Sequence, residues 1–154
     1  MSTELDTTTR GHAMIRLLDA AFDGFAAELA ARIAETEYRD VRPTHGCVFG
    51  NIDPDGTRLT DLAERAHMTK QSVGEVATEL ELRGYLERVP DPNDGRAKII
   101  RLTERGRQAQ RLGRRMIDEI EQEWADRVGA DRVAALRDAL EAIAADKLPA
   151  VPVA

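Results

Sequence analysis

The chain has 154 residues, 42% hydrophobic and 32% charged, with a formal net charge of −6, which suits one globular domain or two small ones sharing a core and excludes a large enzyme. A single cysteine, Cys47, rules out an internal disulfide, and no apolar run is arranged as a signal peptide or is long enough for a membrane span, so a cytoplasmic protein is expected. The acidity argues against indiscriminate nucleic-acid binding but is uneven: residues 58–107 hold ten Lys/Arg against nine Asp/Glu, the remainder twelve against nineteen.

The first nine residues read as disordered. Met14, Leu17, Leu18, Ala21, Phe22, Phe25, Leu29 and Ile33 then recur at helical spacing, with Asp, Glu and Arg on the other face, which predicts a long amphipathic helix. Pro43 suits the first turn of a short helix carrying Cys47, Val48, Phe49 and Ile52, and DPDG at 53–56 ends it as a turn. Two short helices follow. Thr60 and Thr69 are their expected N-caps, and Gly84 offers the second a left-handed C-cap. Between Leu59 and Leu80, the residues Leu62, Ala63, Ala66, Met68, Val73 and Val76 form the inward set of two helices crossing steeply over a short turn. The same pattern fits an ordinary helical hairpin.

After Gly84 the period changes from helical to extended. Tyr85–Val89 and Ala97–Leu102, separated by the turn-rich residues 90–95, are predicted to pair as an antiparallel hairpin. A helix-turn-helix followed at once by such a hairpin is a winged helix, which decides between the two readings. Thr103 caps a further helix with the apolar stripe Ala109, Leu112, Met116, Ile117, Ile120 and Trp124; Gly129 lies beyond its end. Val133, Leu136, Leu140 and Ile143 mark a final helix, and Pro149 and Pro152 close a frayed tail. The expected fold class is mainly α with a small β-hairpin wing.

Residues 59–106, LTDLAERAHMTKQSVGEVATELELRGYLERVPDPNDGRAKIIRLTERG, resemble the DNA-binding core of the MarR family of bacterial transcriptional regulators. The helix-turn-helix, the RGYLER entry to the wing, the DPNDGR tip with its D-x-R signature at Asp94 and Arg96, and the LTERG start of the next helix carry the resemblance. It implies one domain over residues 10–148, with dimerisation helices at 10–36 and 104–148, a winged helix-turn-helix lobe at 43–103 and a tail at 149–154. A homodimer, a near-palindromic double-stranded operator and often a small effector that weakens binding are implied with it, most often in a repressor.

In a winged helix-turn-helix the start of the second helix enters the major groove, which puts Lys70, Gln71, Ser72 and Glu75 in reach of DNA. Gln71 suits adenine N6 and N7 and Glu75 a cytosine amino group, while Thr69, Lys70 and Ser72 better suit phosphate. Singly, each reads equally well as a solvated helix residue. In the wing, Arg96 suits either the minor groove or a carboxylate that fixes the hairpin's angle, and Arg88 and Lys98 lie within phosphate reach. Many relatives carry a basic residue where this chain has Gly95, and His67 stands where helix-turn-helix motifs commonly have glycine. The family's effector pocket, between the dimerisation helices and the lobe, makes His12, Arg16, His45 and Phe49 its candidates. Trp124 reads as a core or interface aromatic.

No nucleophile–base set, phosphate-cradling loop or compact metal-ligand spacing is present, so neither catalysis nor a cofactor or metal is expected. Two alternatives stay open: a winged helix serving only protein–protein interaction, and a regulator that senses oxidation through Cys47.

Overall fold

A computed structural model describes residues 12–147. The expected disorder of residues 1–9 and the frayed tail beyond 148 lie outside them. The order is α1 (Met14–Ala34), a 3-10 turn (Pro43–His45) running into α2 (Gly46–Phe49), α3 (Leu59–Arg65), α4 (Lys70–Leu82), β1 (Leu86–Asp91), β2 (Asp94–Leu102), α5 (Glu104–Val128) and α6 (Ala130–Ala144). The fold is mainly helical, with one two-stranded antiparallel hairpin.

The lobe's core forms where α3 and α4 cross beneath the hairpin. Leu62, Val73, Leu80, Tyr85, Ile100 and Leu102 are each at most 2% exposed, and burying side chains of this size stabilises by roughly 1.5–3 kcal/mol apiece before chain entropy is set against it. Ala77 and Leu80 complete the inward face of α4, while Met68, expected inside, is 38% exposed. The reason is the turn: His67 has φ +51°, the left-handed conformation usually left to glycine, and the chain leaving it carries Met68 to the surface.

Two further expectations are corrected. Thr60 does not cap α3; the helix begins two residues earlier than that cap would place it, at Leu59 after Arg58. Thr57 exchanges both backbone hydrogen bonds with Ile100 of β2 (2.8 and 2.9 Å), so the chain stays extended up to Arg58 and must turn helical at once. Gly56 makes this approach possible, since a Cβ there would stand 2.8 Å from Ile99 Cδ1 and 3.1 Å from the Ile100 carbonyl. The hairpin is also longer at its tip than expected. Pro90 and Asp91 belong to β1 and pair with Lys98 and Asp94, leaving only Pro92 and Asn93 as the turn, with a register irregularity beside Asp91.

Thr69 and Thr103 cap α4 and α5 as the sequence predicts, and Gly84, at φ +78°, ends α4. The start of α5 is pressed against the wing's base: a Cβ on Gly106 would stand 2.1 Å from the Tyr85 carbonyl oxygen. Farther along, α5 packs on α1 and α6. Phe25 and Trp124 meet edge to face at 5.3 Å, and Arg32 of α1 joins Glu123 of α5 at 2.7 Å and Glu28 at 2.9 Å. These helices nevertheless leave Met14, Ile15, Phe22 and Ile143 each at least 70% exposed.

Candidate nucleic-acid interface

At the start of α4 the Thr69 hydroxyl oxygen accepts the Ser72 backbone N–H at 3.1 Å and donates to Ser72 Oγ at 2.8 Å. Both hydroxyls are thus occupied by the cap that fixes the helix's first turn. Lys70, Gln71 and Glu75 project outward and exposed, with Ser72 half-buried behind them. Gln71 Nε2 donates to Glu75 Oε1 at 3.3 Å, a contact between two exposed side chains. An open groove follows this face, lined by Lys70, Gln71, Gly74, Glu75 and Thr78 of α4, by Leu59 of α3 and by Arg88 of β1. Gly74 brings α4 close to α3, since a Cβ there would touch Leu59 at 3.6 Å.

Arg88 is held back against the helix, Nε donating to Glu81 at 2.9 Å and Nη2 to Thr78 Oγ1 at 3.3 Å. Arg96 and Lys98 are exposed on β2. Asp94 of the D-x-R signature accepts the backbone N–H of Arg96 at 3.1 Å, so the pair is joined through the main chain and the guanidinium points free of it. The carboxylate that fixes the wing is instead Asp91, only 6% exposed and gripped by Arg58. The Asn93 backbone N–H and the Arg58 guanidinium together hold its carboxyl below the usual range. Sequence reading missed Arg58, because 33 residues separate it from Asp91 and no local spacing announces the pair.

The four effector-pocket candidates are spread out. His12 and Arg16 are exposed at the beginning of α1 and its approach. His45 is fully buried; its Nδ1 accepts the Arg42 backbone N–H at 3.0 Å and its Nε2 lies 3.2 Å from Glu79. Burial, with the Arg83 and Arg42 charges, pushes it down to about 4, so the ring is neutral. Phe49 packs edge to face on Tyr85 at 6.0 Å. None of the four lines the groove along α4. Cys47 is half-buried, donates to the Thr44 carbonyl at 3.1 Å, and has its thiol pushed up by burial, opposite to what a reactive thiolate needs.

Residues 39–97 match the model of the MarR family. No protein of curated function matches the chain by sequence. Among solved structures, Streptococcus pneumoniae FabT in complex with DNA has a TM-score of 0.71 at 18% identity, covering 84% of this chain and 92% of that one. CouR from Rhodococcus jostii RHA1 bound to p-coumaroyl-CoA gives 0.68 at 23%, over 83% and 89%. Apo wild-type MarR from E. coli gives 0.68 at 20%, over 86% and 97%. At these identities the likeness is one of fold.

Proposed function

We propose that the chain, whose residues 39–97 match the MarR-family model, is a winged-helix regulator of that family, a homodimer reading a near-palindromic stretch of double-stranded DNA. The observation that carries this reading is the outward face of α4, where Lys70, Gln71 and Glu75 line an open groove with Arg88. Lys70 supplies a phosphate contact, Gln71 and Glu75 base-edge contacts, and Arg96 and Lys98 extend the basic surface along the wing. Thr69 and Ser72 serve by fixing the first turn, whose backbone N–H groups also suit phosphate.

The exposed apolar residues of α1 and α6 support the dimer, since a monomer would leave this face in water. In this reading residues 10–36 and 104–148 are the dimerisation helices, 43–103 the reading lobe, and the protein a repressor relieved by a small effector. CouR, bound to p-coumaroyl-CoA, is an example of the fold holding a small molecule.

The test is selection of bound duplexes from a random library, with the mass of the free protein measured alongside. A recovered motif with two-fold symmetry, half-sites about one DNA turn apart and affinity that falls steeply with salt supports the reading. Absence of salt-sensitive duplex binding would leave the winged helix as a protein-interaction module.

A further inference from the structure

Glu79 stands one turn beyond Glu75 and two beyond Gln71 on α4 and lines the same groove, yet its carboxylate is fully engaged from behind. Oε1 pairs with Arg42 and accepts from Arg83 Nη2 at 2.6 Å, while Oε2 lies 3.2 Å from His45 Nε2. Because His45 Nδ1 accepts the Arg42 N–H, the neutral ring carries its proton on Nε2 and donates it to Glu79. The chain of contacts continues. Arg83 reaches the Asp40 carbonyl, the Asp40 carboxylate accepts the Tyr85 hydroxyl at 2.5 Å, and Arg105 of α5 donates to that hydroxyl at 3.0 Å and covers the ring at 4.7 Å.

We propose that Glu79 is a positioning residue for base reading: it fixes the rotation and tilt of α4 through Arg42, His45 and Arg83 and does not itself contact DNA. This rests on the DNA-reading function above. Base-edge hydrogen bonds need their side chains placed to about 0.5 Å, whereas a lysine on a phosphate tolerates more play. Loss of the anchor therefore strikes operator binding and spares non-specific binding. A carboxylate acting only as a negative charge beside DNA gives a different pattern, because its removal strengthens binding to every duplex.

The experiment measures wild type, Glu79→Ala, Glu79→Gln and Arg42→Ala on the library-selected duplex and on a random duplex, with melting temperatures. Arg42 has a 56% exposed side chain, so its removal tests the anchor without threatening the core. Glu79→Ala is expected to weaken selected-duplex binding roughly tenfold, the scale of one charged hydrogen bond, with random-duplex affinity unchanged or higher. Glu79→Gln keeps an acceptor and recovers most of the loss, and Arg42→Ala shows a smaller loss of the same selective kind. The proposal is overturned if Glu79→Ala and Arg42→Ala bind the selected duplex as well as wild type, or lose equally on both duplexes. Failure of wild type to bind any duplex would instead overturn the DNA-reading function, and this inference with it.

Discussion

The guanidinium of Arg58, at the threshold of α3, grips the carboxylate of Asp91 at the end of β1, with Nε at 2.8 Å and Nη2 at 2.7 Å from Oδ2. One ion pair thus ties the residue that precedes α3 to the tip end of the hairpin, where Asp91 faces Asp94 beside the turn, and so fixes the angle of the hairpin against the helices. Asp94 stands 3.9 Å from the same guanidinium and extends the tie across the turn to β2.

The two arginines should respond oppositely to lysine. Arg58 acts by geometry, through two nitrogens on one carboxylate oxygen, so Arg58→Lys is expected to weaken binding to the selected duplex nearly as much as Arg58→Ala, roughly tenfold. Arg96 is free of side-chain carboxylates among the described residues, with no bidentate partner whose geometry lysine would lose, so Arg96→Lys should keep most of the affinity that Arg96→Ala loses. Competition binding on the selected duplex checks both. Equal tolerance of lysine at the two positions would remove Arg58 from the wing's support.

Gly95 offers a gain of function. A Cβ there meets nothing within 4 Å, and its φ is outside the left-handed region, so a side chain can be added without strain. Gly95→Arg is expected to tighten binding to any duplex and to steepen the dependence of log affinity on log salt by about one per subunit. An unchanged slope would mean that the wing tip stands away from the phosphates.

His45 makes stability depend on pH in a definite direction. Its folded value, about 4, lies below the ordinary 6.5 because the ring is buried between Arg83 and Arg42. Between those values the unfolded chain binds a proton that the folded chain refuses, so stability is complete above pH 6.5 and falls as pH drops toward 4, by at most about 3 kcal/mol. Urea denaturation across that range should show a shallower pH slope for His45→Gln than for wild type. Parallel slopes would show that the ring accepts its proton in the folded state.

How much of this was legible in the sequence depended on whether the chemistry is local. The caps Thr69 and Thr103 and the terminator Gly84 act within three or four residues of themselves and were read correctly. Thr60 looked equally good and was not a cap, because the choice was made by Thr57 pairing with Ile100 across 43 residues. The tip was misjudged because Pro90 and Asp91 are turn formers by composition, while burial of Asp91 under Arg58 draws both into the strand. Lys70, Gln71 and Glu75 were legible as an exposed stripe from helical period alone. The partners that hold α4, His45 and Glu79, lie 34 residues apart and leave no pattern in the chain.

Whether α4 reads sequence is decided by comparing Lys70→Ala with Gln71→Ala on the selected and random duplexes across a salt series. Lys70→Ala should weaken both about equally and lower the salt slope by roughly one per subunit. Gln71→Ala should cost on the order of 1–3 kcal/mol on the selected duplex alone, with the salt slope unchanged and preference relaxed at one symmetric pair of positions. The same fractional loss for Gln71→Ala on both duplexes would contradict the account.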